Sequence, residues 1–156
     1  MLSIIKILMK LTPYIHFGGN AREALEFYKN ALNGEIQQSG TYGESPMPGD
    51  EDYKDKIMHA RLVFDGNMIM VSDVFEEQEI STKGNIQLSI DIDDIKKLNE
   101  VFNKMAEGGK ITMALQDTFW GARFGMITDK FGINWMFNCG LKKEGETTDK
   151  TLDITG

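Results

Sequence analysis

A chain of 156 residues is about one domain long and can bury a core of its own. With 41% hydrophobic and 26% charged residues it is neither disordered nor fibrous. A net charge of -7, with no local Lys/Arg cluster, excludes nucleic acid as the partner, because phosphate neutralisation needs a basic surface.

Residues 1–10, "MLSIIKILMK", resemble the start of a signal peptide. Their apolar stretch is too short, Lys6 interrupts it, and no small-residue cleavage site follows. They read as an N-terminal extension. It is either an extra edge strand or residues foreign to the native chain, with Met9 available as a second start. No run approaches the roughly 18 apolar residues of a membrane span, so no membrane partner is expected. Cys139 is the only cysteine, which excludes an intrachain disulfide and a Cys-based zinc cluster and fits a cytoplasmic setting.

A strand pattern covers residues 11–17. The first helix follows, "NAREALEFYKNALNG", with Asn20 as cap, Glu23 as its reciprocal partner and Gly34 as the left-handed end. Ala24, Leu25, Tyr28, Ala31 and Leu32 form its apolar stripe. Residues 35–41 are a second strand. Residues 43–56, "GESPMPGDEDYKDK", are long and acidic, and read as a lid, a loop touching a partner subunit, or a solvated loop. Two further strands, "KIMHARLVF" and "NMIMVSDVF", join through Asp65-Gly66, a tight-hairpin signal.

The second half repeats this order about 70 residues later. "NIQLSIDI" is a strand, and "DDIKKLNEVFNKMAEGG" is a helix capped by Asp93 or Asp94 and ended by Gly108-Gly109. Its stripe is Ile95, Leu98, Val101, Phe102 and Met105. Strands follow at 110–115, 122–128 and 133–137, and residues 141–156 are a polar tail. Two copies of strand, helix and three strands predict an α+β domain with helices on one face of curled sheets.

Strand alternation separates two faces. Ile15 and Phe17, then Met58, Ala60, Leu62 and Phe64, then Ile86, Leu88 and Ile90 suit packing under helices. The other face gathers His16, His59, Arg61, Asn85, Gln87 and Ser89, including both histidines of the chain. Such a face can turn to water or line a cavity. The absence of Lys and Glu from these positions suits a semi-enclosed polar cavity. The two imidazoles could do acid–base chemistry, donate hydrogen bonds to a bound carbonyl or anion, or be structural. Cys139 reads more as a small buried hydrophobe than as a nucleophile. Both tryptophans fall within "DTFWGARFGMITDKFGINWMF", residues 117–137.

Three stretches carry a resemblance. "PYIHFGGNAREALEFYKNALNGEI", "IMHARLVFDGNMIMVSD" and "WGARFGMITDKFGINWMF" resemble the signatures of the PhnB-like branch of the vicinal oxygen chelate superfamily, which also includes glyoxalase I, bleomycin-resistance proteins and extradiol dioxygenases. The likeness spans residues 11–140, as modules of about 11–75 and 84–140. It implies paired βαβββ modules forming curled mixed sheets around a cavity, with helices outside, and subunits that pair as a homodimer.

In metal-dependent members four cavity residues hold the ion. Matching the motifs puts those positions at Thr12 (or Tyr14, since an insertion at Gly18-Gly19 leaves the register open), His59, Asn85 and Phe137. Only His59 is an ordinary transition-metal ligand, so neither a metal nor a cofactor is expected. Methyl transfer has no support either, since Gly18-Gly19-Asn20 matches no dinucleotide fingerprint. In this likeness Trp135 and Phe137 point into the cavity and Met136 packs under a helix. Trp120 and Arg123 stand at the mouth, where Arg123 either meets an anion or pairs with Asp117 or Asp129. The expected function is small-molecule binding through His16, His59, Asn85, Gln87, Trp120, Arg123, Trp135 and Phe137. The alternatives are a metal-dependent lyase, isomerase or dioxygenase, or a metal-free enzyme with His59 as the acid–base residue.

Overall fold

The computed structural model describes residues 10–46, 50–75, 80–81 and 84–142. The N-terminal extension up to Met9 and the tail beyond Lys142 lie outside the described residues. The chain divides into two compact units, Met1–Asn85 and Ile86–Gly156.

The first unit runs β1 (Tyr14–Phe17), α1 (Ala21–Leu32), β2 (Glu35–Thr41), β3 (Ile57–Phe64) and β4 (Asn67–Asp73). Its sheet order is β1-β4-β3-β2, with β1 parallel to β4 and the other pairs antiparallel. The second unit runs β5 (Leu88–Asp91), α2 (Ile95–Ala106), β6 (Lys110–Asp117), β7 (Ala122–Thr128) and β8 (Asn134–Gly140). Its order, β5-β8-β7-β6, has the same strand directions. The α+β reading, two βαβββ modules with mixed sheets, holds.

In the first unit α1 lies over β3 and β4. Its stripe of Ala21, Ala24, Leu25, Tyr28 and Ala31 is buried, as are Ile15, Phe17, Ala60, Leu62, Ile69 and Val71 on the strands. Each large apolar side chain here is worth about 1.5–3 kcal/mol of burial. Leu98, Val101, Phe102 and Met105 do the same for α2. Among the described residues no helix is long and apolar enough to cross a membrane.

Several local expectations are corrected. Asn20 makes no side-chain cap bond at α1. Asp73, at the end of β4, accepts from the Gly19 and Ala21 amides with Oδ1, both at 2.9 Å, and from the Ile57 amide with Oδ2 at 2.9 Å. A buried carboxylate brings a full negative charge to the helix N-terminus and satisfies orphan donors that a neutral Asn could serve only locally. At the other end Asn33, not Gly34, takes the left-handed conformation (φ 52°). Gly34 is needed for room instead, because a Cβ there would sit 2.9 Å from the Val63 carbonyl. The Asp94 cap of α2 is made, its side chain accepting from the Lys97 amide. At the β3–β4 hairpin Asp65 and Gly66 both have positive φ, as a type I′ turn requires.

β5 begins at Leu88, so Asn85, Ile86 and Gln87 precede the strand. Its partner β8 starts only at Asn134 and the ladder begins at Leu88–Trp135, so earlier residues have no pairing to join. Ile86 is consequently 77% exposed rather than packed under α2. The described parts of the acidic 43–56 segment are knitted to the sheet end. The Tyr42 and Gly43 amides donate to the Lys56 and Lys54 carbonyls. The Tyr42 hydroxyl reaches the Asp73 carbonyl at 2.8 Å, and Tyr53 donates to the Val74 carbonyl. The Tyr42, Tyr53 and Phe75 rings pack together.

Asp73 therefore holds the start of α1 and the start of β3 against the end of β4. Asp73→Ala leaves three amides without their acceptor and is expected to cost about 3 kcal/mol or more in urea unfolding. A loss under about 1 kcal/mol would show that water or Asn20 replaces it.

Candidate functional site

Because Ile15, Phe17, Ala60, Leu62 and Val71 are buried on the α1 side, the residues between them occupy the opposite, open face of the first sheet. Register sets Tyr14 beside Met70, Met70 beside Arg61, and Arg61 beside Gln37. The next row sets His16 beside Ser72 and His59 beside Gly40. The open face thus gathers Tyr14, His16, His59, Arg61 and Ser72 from β1, β3 and β4.

These side chains are linked. The Tyr14 hydroxyl and His59 Nδ1 are hydrogen-bonded at 3.0 Å, and His16 Nδ1 and the Ser72 hydroxyl at 2.9 Å. The Tyr14 and His16 rings stack, with centroids 4.7 Å apart and 15° between planes. Each imidazole is oriented through one nitrogen by a hydroxyl, which leaves Nε2 for an outside partner. Arg61 Nε is buried and has no hydrogen-bond partner among the described residues.

Within the first unit the structure brings His16 and His59 together through Tyr14. Asn85 and Gln87 are exposed, outside β5. Trp120 is 55% exposed, edge-on to Phe119 and Phe124. Arg123 Nε donates to Asp117 Oδ1 at 2.8 Å, which raises the guanidinium pKa, first through the hydrogen bond and then through the charge. That pairing is one of the two alternatives left open for Arg123.

The orientation of the last strand is corrected. Trp135, Phe137 and Cys139 share one face of β8 and are at most 2% exposed. Phe137 meets Phe102 of α2 edge-on at 5.4 Å. Trp135 Nε1 donates to the buried Asp129 carboxylate at 2.9 Å. Gly125, beside Phe137 in register, makes room for this, since a Cβ there would lie 2.8 Å from the Phe102 ring. Trp135 and Phe137 are core under α2, not cavity wall. The open face of the second sheet belongs to the alternate residues, Met136 with Asn134 and Asn138, beside Phe124 and Met126 in register.

The metal positions suggested by the family fit poorly. Thr12 precedes β1, Phe137 is buried in the core, and Tyr14 rather than Thr12 stands against His59. One imidazole, an amide and a hydroxyl are a weak donor set for a transition metal. Among the described residues no three His, Cys, Asp or Glu side chains are grouped to hold an ion. No chemical step is assigned to a metal here.

The comparisons match this architecture. The sequence profile described as 3-demethylubiquinone-9 3-methyltransferase matches residues 9–137. The chain belongs to that PhnB-like family. Protein PA1353 from Pseudomonas aeruginosa is 40% identical, with a TM-score of 0.79 over 86% of this chain and 99% of that one. A PhnB protein from Bacillus cereus is 26% identical, with a TM-score of 0.73 over 85% of this chain and 100% of that one. A glyoxylase/bleomycin resistance protein/dioxygenase domain from Frankia is 16% identical, with a TM-score of 0.62 over 90% and 96%, and shares the fold. In the PhnB-like chain described here β1 and β2 lie at opposite edges of their sheet. That is not the adjacent parallel βαβ crevice of a dinucleotide fold.

Ser72 was missed in the sequence, and Tyr14 was named only as an alternative to Thr12. Tyr14 alternates in phase with His16, but its role needs the β1–β4–β3 order, which no local pattern reveals. Met136 was missed through a one-residue slip in β8.

Two measurements check the second unit. Phe137→Ala should cost about 3–5 kcal/mol in stability, as for a buried aromatic, whereas a cavity-lining ring would cost far less. Burial, and then Asp93 and Asp94, push the Cys139 thiol up, opposed by Arg123 and Lys142. A raised pKa means less thiolate, so an aromatic disulfide reagent at pH 8 should label native protein far more slowly than urea-unfolded protein.

Proposed function

We propose that this PhnB-like protein binds a small organic molecule on the open face of the first sheet, without a resident metal. The observation that carries this reading is the pair of hydroxyl–imidazole bonds, Tyr14–His59 and His16–Ser72. Two oriented rings with a nitrogen each to spare, beside a stacked Tyr14, offer polar contacts and a flat apolar surface together. A purely structural pair of histidines would be expected to be buried with both nitrogens engaged, whereas His16 is exposed. Trp120 and Phe124 offer a further aromatic surface on the second unit. We also propose that the chain pairs as a homodimer, which light scattering of the purified protein tests directly.

The second reading is an enzyme using the same face. Tyr14 on Nδ1 fixes the His59 ring and leaves Nε2 as an acid–base nitrogen. His59→Ala separates the two. A binder loses affinity by about tenfold and shows no turnover, while an enzyme loses turnover by about two to four orders of magnitude.

A thermal-shift screen of chelator-treated protein against small molecules, nickel, zinc, manganese, iron(II) and magnesium is the test. A Tm rise of several degrees with organic compounds, reduced in His59→Ala, is expected. A stoichiometric metal that raises Tm would contradict the metal-free reading.

A further inference from the structure

From the isolation of Arg61 we infer that the ligand of the open face is a small organic acid whose oxyanion is bonded by the Arg61 guanidinium. This rests on the reading of that face as a ligand surface and names its chemical class.

Arg61 lies in the middle of β3, in the central row of the sheet. It pairs with Met70 on one side and Gln37 on the other, and Tyr14 stands one strand further along the same row. Its Nε is closed off from solvent and has no hydrogen-bond partner among the described residues. An arginine keeps its charge at any ordinary pH and presents only donors. A buried donor of this kind left unmade costs more than a hydrogen bond is worth, so native structures keep few of them.

No carboxylate of the described chain answers it. Lys29–Glu26, Lys54–Glu51 and Arg123–Asp117 are ion pairs among the described residues, and none of them includes Arg61. Asp73, at the end of β4, is committed to three amides and sits on the helix side. Glu35 shares the face, one row on beside Val63, and makes no bond to Arg61. Of the three arginines, Arg123 pairs with Asp117 and Arg22 donates to the Asp55 carbonyl, whereas the Arg61 Nε has no partner among the described residues.

The neighbours suit an acid rather than a neutral molecule. The Tyr14–His59 pair can donate one further hydrogen bond to the same group, from the Tyr14 hydroxyl or from His59 Nε2 according to the tautomer. The Tyr14–His16 stack gives the organic portion a flat surface. Carboxylates and phosphonates present a forked oxygen edge that suits the two terminal guanidinium amines, the Nε itself being closed off.

The test is calorimetric titration of the full chain with benzoate, phenylphosphonate and neutral benzamide, repeated with Arg61→Gln. At least one acid should bind about 10- to 100-fold more tightly than benzamide, and Arg61→Gln should abolish that preference while changing benzamide affinity by less than about threefold. The stronger of the two acids assigns the carboxylate or the phosphonate class. Benzamide binding as tightly as both acids, or an acid preference that survives Arg61→Gln, would overturn the assignment while leaving the ligand surface intact. Binding of none of the three, with no organic hit in the thermal screen, would overturn the ligand surface as well. Arg61→Gln and Arg61→Met should melt within about 3 °C of the unsubstituted protein or above it, since they remove an unsatisfied donor. A fall of 10 °C would make Arg61 a structural residue and contradict the inference.

Discussion

One carboxylate organises the first unit. Asp73 is buried at the end of β4 and holds three amides, two at the start of α1 and one at the start of β3. Its backbone carbonyl also takes the Tyr42 hydroxyl, which ties in the segment before β3. Closing the β1–α1 corner in this way fixes β1 as the parallel neighbour of β4. Only in that position does Tyr14 meet His59 and His16 meet Ser72. The polar face therefore depends on a residue that does not belong to it. An isolated four-residue strand such as β1 would have little to hold its register.

The same construction is used twice with different chemistry. In both units the helix covers one face of a four-stranded sheet with a parallel edge pair, so period-two alternation divides core from open face. In the first unit the open face is polar and aromatic, with Tyr14, His16, His59, Arg61 and Ser72. In the second, Phe124, Met126 and Met136 are joined by Asn134 and Asn138, whose amides bond Thr128 and Asp91. Fold and chemistry are separable here, as they are across folds that host many functions. Membership of the PhnB-like family accounts for the scaffold, and the side chains of the first open face account for the proposed binding.

Much of the scaffold was legible because the signals were local. The stripes of α1 and α2, the Asp65-Gly66 turn and the repeat of strand, helix and three strands each follow from residues within a few positions of one another. The errors share a different cause. Asn20 looked like the cap of α1, but the better anion came from Asp73, more than fifty positions away. Ile86 alternates with Leu88 and Ile90, yet β5 has only β8 to pair with and starts at Leu88. Phe137 was assigned to the open face by family likeness, and a slip of one residue in a strand exchanges its two faces. The burial of Trp135 and Cys139 in phase with it, and the room left by Gly125 for Phe102, decide the matter. Ser72 became visible as a site residue, and Tyr14 as the partner of His59, only once β1 was known to be the edge strand beside β4.

The central claim, that the open face of the first sheet is a ligand surface, is tested most directly by NMR of the two imidazoles. The chain has only two histidines, His16 and His59, so both ring signals can be followed in protein labelled at histidine nitrogen. Titration with the small molecule that raises Tm most should move both signals along saturable curves, with a midpoint equal to the calorimetric Kd. Saturable binding that leaves both rings unmoved would place the ligand elsewhere and contradict the account.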